Sequence, residues 1–545
     1  MIADTLPNGF RSQQVLGSMD VLLKRSLLLA DQPGTGKTLQ ALLALELDGA
    51  FTGKRPYSAL IMTNTTGCQL TWAGELRRRI LSQYPDVVIC DLTDTRGKKT
   101  MPSLAVRNDR VAQAMMQARD TGAALVVLTN FEALRIVAGQ QPKVSHLFDI
   151  TFDAVVIDES QLVLPTTEDG TGKVSQFWRG LMRLRIAERA IRLDMSGTPD
   201  RGKLENRYGH WKFLHPRSHT NYWGWVAAHF FTWREVVGEK RLPNGQRQKI
   251  EATIIGGLKN PAAWVEYEHQ HMLRRTKKEM LKGLPEKQWA SDGAVELDLT
   301  PAQLRQHADF RADLDARKLE YIAADEPGKA SALELQWPMR SRQIATCTWN
   351  FEITEDANGE PHMHGTPLVA GPESSNKLAW LLNWMQERGY VRGQDFDVTG
   401  GKVVIVSFFT EVLEWLKLEL AAANIEAEVM SGDTPAPQKL AIEERFQRGD
   451  LRVILLSGYL GVSINLDAAD DMIFADPNHD PDRMEQAEDR IHRASRDHQV
   501  MYWRLCSLGT SDPDVIAAID DRYRTTRTIY DGSRGVTHAR AGIRR

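Results

Sequence analysis

The sequence predicts an α/β protein made of two parallel-sheet lobes in tandem, with partly helical insertions between them. The first observation is a series of compact apolar runs before residue 215: "SLLLAD" (26–31), "SALIMTN" (58–64), "DVVIC" (86–90), "ALVVLTN" (124–130), "AVVID" (154–158) and "IRLDMS" (191–196). The second is what separates them, longer amphipathic stretches such as "LTWAGELRRRILSQY". Strands of this kind, alternating with helices, imply a parallel sheet covered on both faces. The third is that the pattern returns after Ser374-Ser375, in "KVVIVSFF" (402–409), "EAEVMSG" (426–432), "RVILLSG" (452–458) and "DMIFAD" (471–476).

Between the two series the texture changes. "NYWGWVAAHFFTW" is dense in aromatics, and "GEKRLPNGQRQKI" reads as a polar hairpin or loop. The spacing of Tyr222, Trp223, Trp225, Phe230, Phe231 and Trp233 suits a helix face packed into the first lobe, with stacking on bases as the other use. Residues 300–335 look helical and charged, and "EDANGEPHMHG" (355–365) reads as turns. The two histidines of "PHMHG" have no cysteine or carboxylate nearby in a metal-binding pattern, which favours an exposed loop.

At 545 residues the chain is long for one core, so two or more domains are expected. Hydrophobic residues make up 42% and charged residues 26%, ordinary for a globular protein. A net charge of −3 provides no whole-molecule positive field, so any nucleic-acid surface must be a local patch. Cys68, Cys90, Cys347 and Cys506 are scattered, which argues against a disulfide framework or zinc site and for a reducing compartment. "MIADTLPNGF" carries no signal pattern, and no apolar run approaches the roughly 18 residues of a membrane span. A soluble protein is expected. Its last 25 residues hold seven Arg against two Asp, a basic tail suited to salt-sensitive polyanion binding or to simple solubilisation.

Four stretches carry chemistry. In "ADQPGTGKT" a glycine-rich loop follows a strand and opens a helix. Gly34, Thr35 and Gly36 let backbone N–H groups close on phosphates at the helix's positive end. Lys37 would reach the terminal phosphates, and the Thr38 hydroxyl would hold Mg²⁺. The first glycine usual in such loops is missing, with Gln32 and Pro33 ahead of Gly34. "VVIDESQ" delivers Asp158 and Glu159 at a strand's polar end. Alone this is a solvated strand end. Beside the loop, Asp158 would reach the metal through water, and Glu159 would orient or deprotonate an attacking water. "DMSGTP" (194–199) puts Ser196, Gly197 and Thr198 at another strand end, where a simple turn is the plainer reading. "MEQAEDRIHRASR" (484–496) places Gln486, Arg490 and Arg493 on an expected helix, the arginines three apart on one face. A solvated charged helix explains that spacing. Two arginines set against a phosphate would instead stabilise transferring charge.

Taken in order, these motifs resemble superfamily 2 helicase-type ATPases, and among them the Swi/Snf-related DNA translocases. "FRSQQVLG" (10–17) is similar to the family's entry motif and implies that Gln14 lies near adenine. "ADQPGTGKT" resembles motif I, including the acidic residue, Asp31, that the family favours before the loop. "LTWAGEL" (70–76) resembles the region of motif Ia and "LTNFEAL" (128–134) the threonine-aromatic segment. "VIDESQ" looks like motif II and "MSGTPDRGKLENRYGHWKFLHP" like motif III and its extension. "MLRRTKKEMLKGLPEK" (272–287) is the most family-specific piece, and general helicases lack it. "SNKLAWLL" (375–382), "VVIVSFFTEVLEWL" (403–416), "VILLSGYLGVSINLDAADDMIFAD" (453–476) and "QAEDRIHR" (486–493) match motifs IV to VI. The resemblance covers about residues 10–510.

It implies two RecA-like lobes: lobe 1 over 1–215 with a helical protrusion and linker at 216–285, and lobe 2 over 375–510 preceded by its insertion at 286–374, then a C-terminal helix and basic tail at 511–545. It implies ATP and Mg²⁺ at Gln14, Gly34, Thr35, Gly36, Lys37, Thr38, Asp158, Glu159 and Gln486, with Arg490 and Arg493 from the other lobe. Gln161, Ser196, Gly197 and Thr198 would couple nucleotide state to movement. DNA, duplex by preference and single-stranded as the alternative, would meet Thr65, Thr129, Asn130, Ser407, Phe408, Ser457 and Asn465. Each of these alone is an ordinary strand-end residue. Arg274, Arg275 and Lys277 would brace the linker between lobes rather than touch DNA. The implied function is a monomeric ATP-dependent translocase that remodels DNA or displaces bound protein, in the cytoplasm of a bacterial or phage-infected cell. A strand-unwinding or annealing helicase is the alternative, and a nucleic-acid scaffold with a vestigial ATPase a more distant one. The chain departs from the family in DESQ for motif II, Leu460 and Ser463 in place of glycine in motif V, and His479 in place of Trp.

Overall fold

A computed structural model shows two compact units, Met1–Lys282 with Thr526–Arg545, and Gly283–Thr525. The structure describes residues 10–52, 56–95, 101–137, 139–165, 174–200, 203–241, 247–281, 284–355, 361–368, 370–391, 401–460, 464–493 and 498–530. Ser463 and the tail beyond residue 530 lie outside them.

The first unit is built on a seven-stranded parallel sheet. Its strands are β1 (Ser26–Leu29), β2 (Ser58–Thr63), β3 (Val88–Asp91), β4 (Leu125–Asn130), β5 (Thr151–Asp158) and β6 (Arg185–Met195), with β9 (Met272–Leu273) at one edge. The order is β3-β4-β2-β5-β6-β1-β9. Side chains alternate across the sheet and fill a core on each face. Leu28, Leu60, Val127, Val155 and Ile157 lie in one core, and Leu27, Leu29, Ile61, Val126, Leu128 and Val156 in the other. Both faces are dry, which is why these strands read as unbroken apolar runs. Helix α1 (Ser12–Lys24) and helix α2 (Lys37–Leu47) flank β1 in sequence. The amphipathic stretch after β2 is a helix containing two wide turns, Gly67–Trp72 and Leu76–Leu81.

An antiparallel ribbon of β7 (Phe230–Arg241) and β8 (Arg247–Leu258) pairs with no other strand among the described residues. Its strands enter the stretch expected as a polar hairpin or loop, of which residues 242–246 lie outside the described set, and the aromatic cluster divides. Trp225 and Phe230 are buried, whereas Trp223, Phe231 and Trp233 are half or more exposed. The cluster straddles a helix that ends at His229 and a strand that begins at Phe230, so one helical face does not contain it.

The second unit holds another all-parallel sheet: β10 (Gln288–Trp289), β11 (Val295–Leu297), β14 (Val403–Ser407), β15 (Glu428–Met430), β16 (Val453–Ser457), β17 (Asp471–Phe474) and β18 (Met501–Ser507). The order is β10-β18-β17-β14-β16-β15, with β11 also on β18. The segment expected as turns is instead an antiparallel pair, β12 (Trp349–Glu355) and β13 (Pro361–Pro367), joined through residues outside the described set. The expected helical region is two helices, Pro301–Ala323 and Pro327–Thr346. Asp325 takes φ +61° at the break, and Pro327 disfavours helix in the residue before it.

All four cysteines are free and buried. Burial raises every thiol, Cys90 to about 12 and Cys506 to about 11, with Cys68 and Cys347 also pushed up.

One buried ion cluster ties elements of the first unit together. Arg207, fully buried, donates from Nε to Asp200, lies 3.5 Å from Glu268 and donates to the Met272 sulfur. Removing the cation leaves two enclosed carboxylates facing each other. Arg207→Ala is therefore expected to cost the first unit about 3–5 kcal/mol in chemical denaturation.

Candidate active site

The glycine-rich loop leaves the carboxyl end of β1 and enters α2. Gly34 and Gly36 adopt φ +79° and +87°, a region side chains resist. A Cβ on Gly36 would lie 2.2 Å from Gln14 Nε2. No side chain caps α2 among the described residues, which leaves the first N–H groups of the helix available to a ligand. The Lys37 ammonium donates to the Asp31 carbonyl at 2.8 Å, and Thr35 Oγ1 donates to the Gln32 carbonyl at 2.7 Å. Thr38 is half-buried in the helix's first turn. Gln14 donates to the Thr35 carbonyl at 3.1 Å and accepts from the Arg11 N–H at 3.0 Å.

Strand register sets the next group beside this loop. In β6, Met195 pairs with Leu29 of β1 on one side and Asp158 of β5 on the other. The three carboxyl ends are thus level, where ligands of such sheets bind. Asp158 accepts from Trp72 Nε1 at 2.9 Å and from the Glu159 N–H at 3.0 Å. Loss of solvent and the neighbouring Glu159 raise its carboxyl to about 6, partly offset by Trp72 and by the Lys37 charge. Lys37 thus acts electrostatically on Asp158. Glu159 holds φ +54°, a strained conformation for a residue with a side chain, and its carboxylate accepts from Gln161 at 2.6 Å. Gln161 Oε1 is buried with no hydrogen-bond partner among the described residues.

After β6, Ser196 Oγ accepts from the Thr198 N–H at 3.1 Å, and Thr198 Oγ1 is buried without a partner among the described residues. Gly197 abuts the phosphate loop, since a Cβ there would sit 2.7 Å from Pro33. The segment after β9 lines the same region. Arg275 grips Asp31 at 2.5 Å and Gln40 at 2.7 Å, and donates to the Gln13 carbonyl at 2.5 Å. Arg274 donates from one nitrogen to the carbonyls of Ala30 (3.1 Å) and Gly197 (3.0 Å).

In the second unit, Gln486 lies in the helix Pro481–Glu488, but Arg490 and Arg493 fall beyond its end, so the expected shared helical face is absent. Arg490 donates to the Leu460 carbonyl, and Arg493 to the Ile464 carbonyl at 2.7 Å. The nucleic-acid candidates divide between the units. Asn130 donates to Thr65 Oγ1 at 2.8 Å, while the Thr129 side chain is fully enclosed. Ser407 donates to Asp476 at 2.5 Å, Phe408 packs on Tyr459 with ring centres 5.4 Å apart, and Ser457 is buried. The Asn465 N–H donates to Glu443 at 3.2 Å.

The hollow fits a nucleotide phosphate: an uncapped helix start, left-handed glycines and one ammonium. Thr38 and Asp158 are hard oxygen donors of the kind Mg²⁺ takes. Gln40 was missed in the sequence, as was Trp72 although it lay inside a quoted motif, while Arg274 and Arg275, expected to brace the linker, hold segments around the phosphate loop. An indole in the helical run after β2 gives no hint that it will reach a carboxylate at the end of β5, distant in sequence but next to β2 in the sheet.

The two parallel-sheet units, the first with a phosphate loop and an acidic pair at level strand ends, are tandem RecA-like lobes. A model of the SNF2-related domain matches residues 13–346, well over half of the chain, and the helicase conserved C-terminal domain matches residues 392–495. The chain belongs to the SNF2-related family. It is 33% identical over 563 residues to a Caenorhabditis elegans homologue of the SWI/SNF-related matrix-associated actin-dependent regulator of chromatin, subfamily A containing DEAD/H box 1, covering 93% of this chain and 50% of that protein. It is 25% identical over 493 residues to a probable chromatin-remodeling complex ATPase chain of Oryza sativa, covering 90% and 38%. The chain thus spans half or less of the length of these curated relatives. Among solved structures, a Sulfolobus solfataricus SWI2/SNF2 ATPase core in complex with dsDNA aligns over 96% of this chain and 93% of that one at 19% identity, with a TM-score of 0.35. That score is too low to add to the assignment.

Gly36→Ala and Gly122→Ala separate backbone strain from crowding. Both glycines have positive φ, but a Cβ at Gly122 meets open space. Gly122→Ala is expected to cost about 1–2 kcal/mol in chemical denaturation, and Gly36→Ala measurably more.

Proposed function

We propose that this chain is a DNA-dependent ATPase that moves along DNA, by preference duplex, and remodels it or displaces bound protein. The observation that carries the reading is the level register of β1, β6 and β5, which sets Lys37 and the Asp158–Glu159 pair after strand ends on either side of β6. Membership of the SNF2-related family supports it.

In this reading the N–H groups at the start of α2 and the Lys37 ammonium bind the phosphates of ATP, with Gly34 and Gly36 leaving room for close approach. Thr38 and Asp158 would hold Mg²⁺, which supplies Lewis-acid neutralisation of phosphate charge. Glu159, oriented by its strained backbone and by Gln161, takes the proton of the attacking water. Gln14 turns its amide from Thr35 to the base. Gln161, Ser196, Gly197 and Thr198 sense the state of the site. The roles of Gln486, Arg490 and Arg493 at the nucleotide, and of Thr65, Thr129, Asn130, Ser407, Phe408, Ser457 and Asn465 at DNA, rest on motif resemblance. Thr129 and Ser407 are enclosed, backbone as well as side chain, so of this set they support a DNA contact least. One observation favours a second reading, strand separation: the β7–β8 ribbon carries exposed Phe231 and Trp233, side chains able to stack on bases.

The test is ATP turnover without polymer and with duplex DNA, single-stranded DNA or RNA, joined to strand displacement. Strong duplex stimulation without displacement is expected. Lys37→Ala or Glu159→Gln should lower turnover by about 10² or more. Stimulation by single strands alone would overturn the duplex preference.

The acid limb is a separate prediction. Asp158 must be ionised to hold the metal, and its carboxyl is raised to about 6, so Mg-nucleotide affinity is present above that pH and falls below it. Trp72→Phe removes a donor that holds the carboxyl down, so the fall should begin at higher pH. Binding of a fluorescent ATP analogue across pH 5–8 checks both.

A further inference from the structure

The segment Met272–Arg275 runs as an added parallel strand beside β1, with Leu28 and Leu29 in register with Met272 and Leu273. The pairing continues past β9, as the Ala30 N–H donates to the Leu273 carbonyl at 2.8 Å and the Gln32 N–H to the Arg275 carbonyl at 3.1 Å. Adjacent residues of an extended strand point to opposite sides. Arg275 turns towards α1 and α2, on Gln13, Asp31 and Gln40. Arg274 turns the other way, and its Nη1 places its two hydrogens on two loops. One goes to Ala30, the residue before Asp31 and the phosphate loop, and the other to Gly197, in the loop after β6.

The two loops also touch directly, at Gly197 against Pro33. A second link fastens the loop after β6 to the same segment. Arg207 joins Asp200, at the end of that loop, to Glu268 and to Met272. The Arg274 charge also acts on Glu268. The spacing between the phosphate loop and Ser196–Thr198 is therefore held by Arg207, Glu268, Met272 and Arg274, outside either loop.

We propose that Arg274 is a positioning residue for ATP hydrolysis, locking the phosphate loop to the Ser196–Gly197–Thr198 loop so that nucleotide bound at one is registered by the other. The proposal rests on the nucleotide-site reading above. The bonds of Arg274 to Ala30 and Gly197 end on backbone carbonyls between the loops, so its loss should lower turnover with little effect on binding. An ammonium at the same place can donate to both carbonyls, so lysine should restore much of the function.

The test uses the full chain with saturating duplex DNA, following kcat, KM for ATP, the Kd of a fluorescent ATP analogue and the thermal midpoint. Arg274→Met is expected to lower kcat and the DNA stimulation ratio about tenfold or more while KM and Kd stay within about twofold. Arg274→Lys should recover at least half of the lost kcat on a logarithmic scale. Gly197→Ala pushes the same loops apart from the other side, and should reproduce the kcat-selective loss if Arg274→Met folds poorly. Unchanged kcat in Arg274→Met, or equal losses in kcat and binding with a lower midpoint and no rescue by lysine, would overturn the proposal. Turnover that survives Lys37→Ala would instead indict the nucleotide-site reading itself.

Discussion

The position of β6 between β1 and β5 is the constraint from which the first unit's chemistry follows. Parallel pairing in register brings Leu29, Met195 and Asp158 to one level, and each strand then releases its loop on the same side. Had either pairing slipped by a residue, every side chain of the strand would change faces and the polar ends would separate. The dry packing of both faces prevents that slip, because Leu27 and Leu28 must enter different cores. Hydrophobic periodicity thus fixes the geometry of Lys37 and Asp158, although neither is apolar.

The same sheet explains how strain is tolerated. Glu159 sits in a left-handed conformation at the end of a strand whose neighbours are immobilised, with its amide on Asp158 and its carboxylate on Gln161. In the second unit the arginines after the helix Pro481–Glu488 bond to the carbonyls of Leu460 and Ile464, so the segment around motif V is braced from within its own unit. Leu460, a departure from the family's glycine, is buried there and presents its carbonyl to Arg490. A bulky residue at that position is consistent with packing, since only the backbone oxygen is used.

Much of this was legible in the sequence, for a physical reason. Doubly buried strands announce themselves as apolar runs, and left-handed loop positions announce themselves as glycine, so β1 to β6, Gly34 and Gly36 could be read directly. Contacts between segments distant in sequence could not. Nothing in "LTWAGEL" says that Trp72 donates to Asp158, and nothing in "LRRTK" says that Arg274 and Arg275 part to opposite sides of an added strand. The ends of helices were also hard to place. Arg490 and Arg493 have helical spacing, but the chain leaves the helix at Glu488. β13 was hidden because its sequence mixes turn-forming residues with few apolar ones, whereas the alternating Trp349, Phe351 and Ile353 of β12 carry a strand pattern that was passed over.

The enclosed cysteines have a practical consequence. Thiolate is the form that reacts with maleimides and iodoacetamides, and burial both raises each native thiol and shields it. A cysteine introduced at an exposed site, with an ordinary acidity, would react far faster than any of the four already present. Spectroscopic probes can therefore be attached to either unit of the natural chain without first removing its own sulfhydryls. The internal Sγ–carbonyl contact of Cys68 with Thr129 would stay intact beneath β4 while distances between labels are followed.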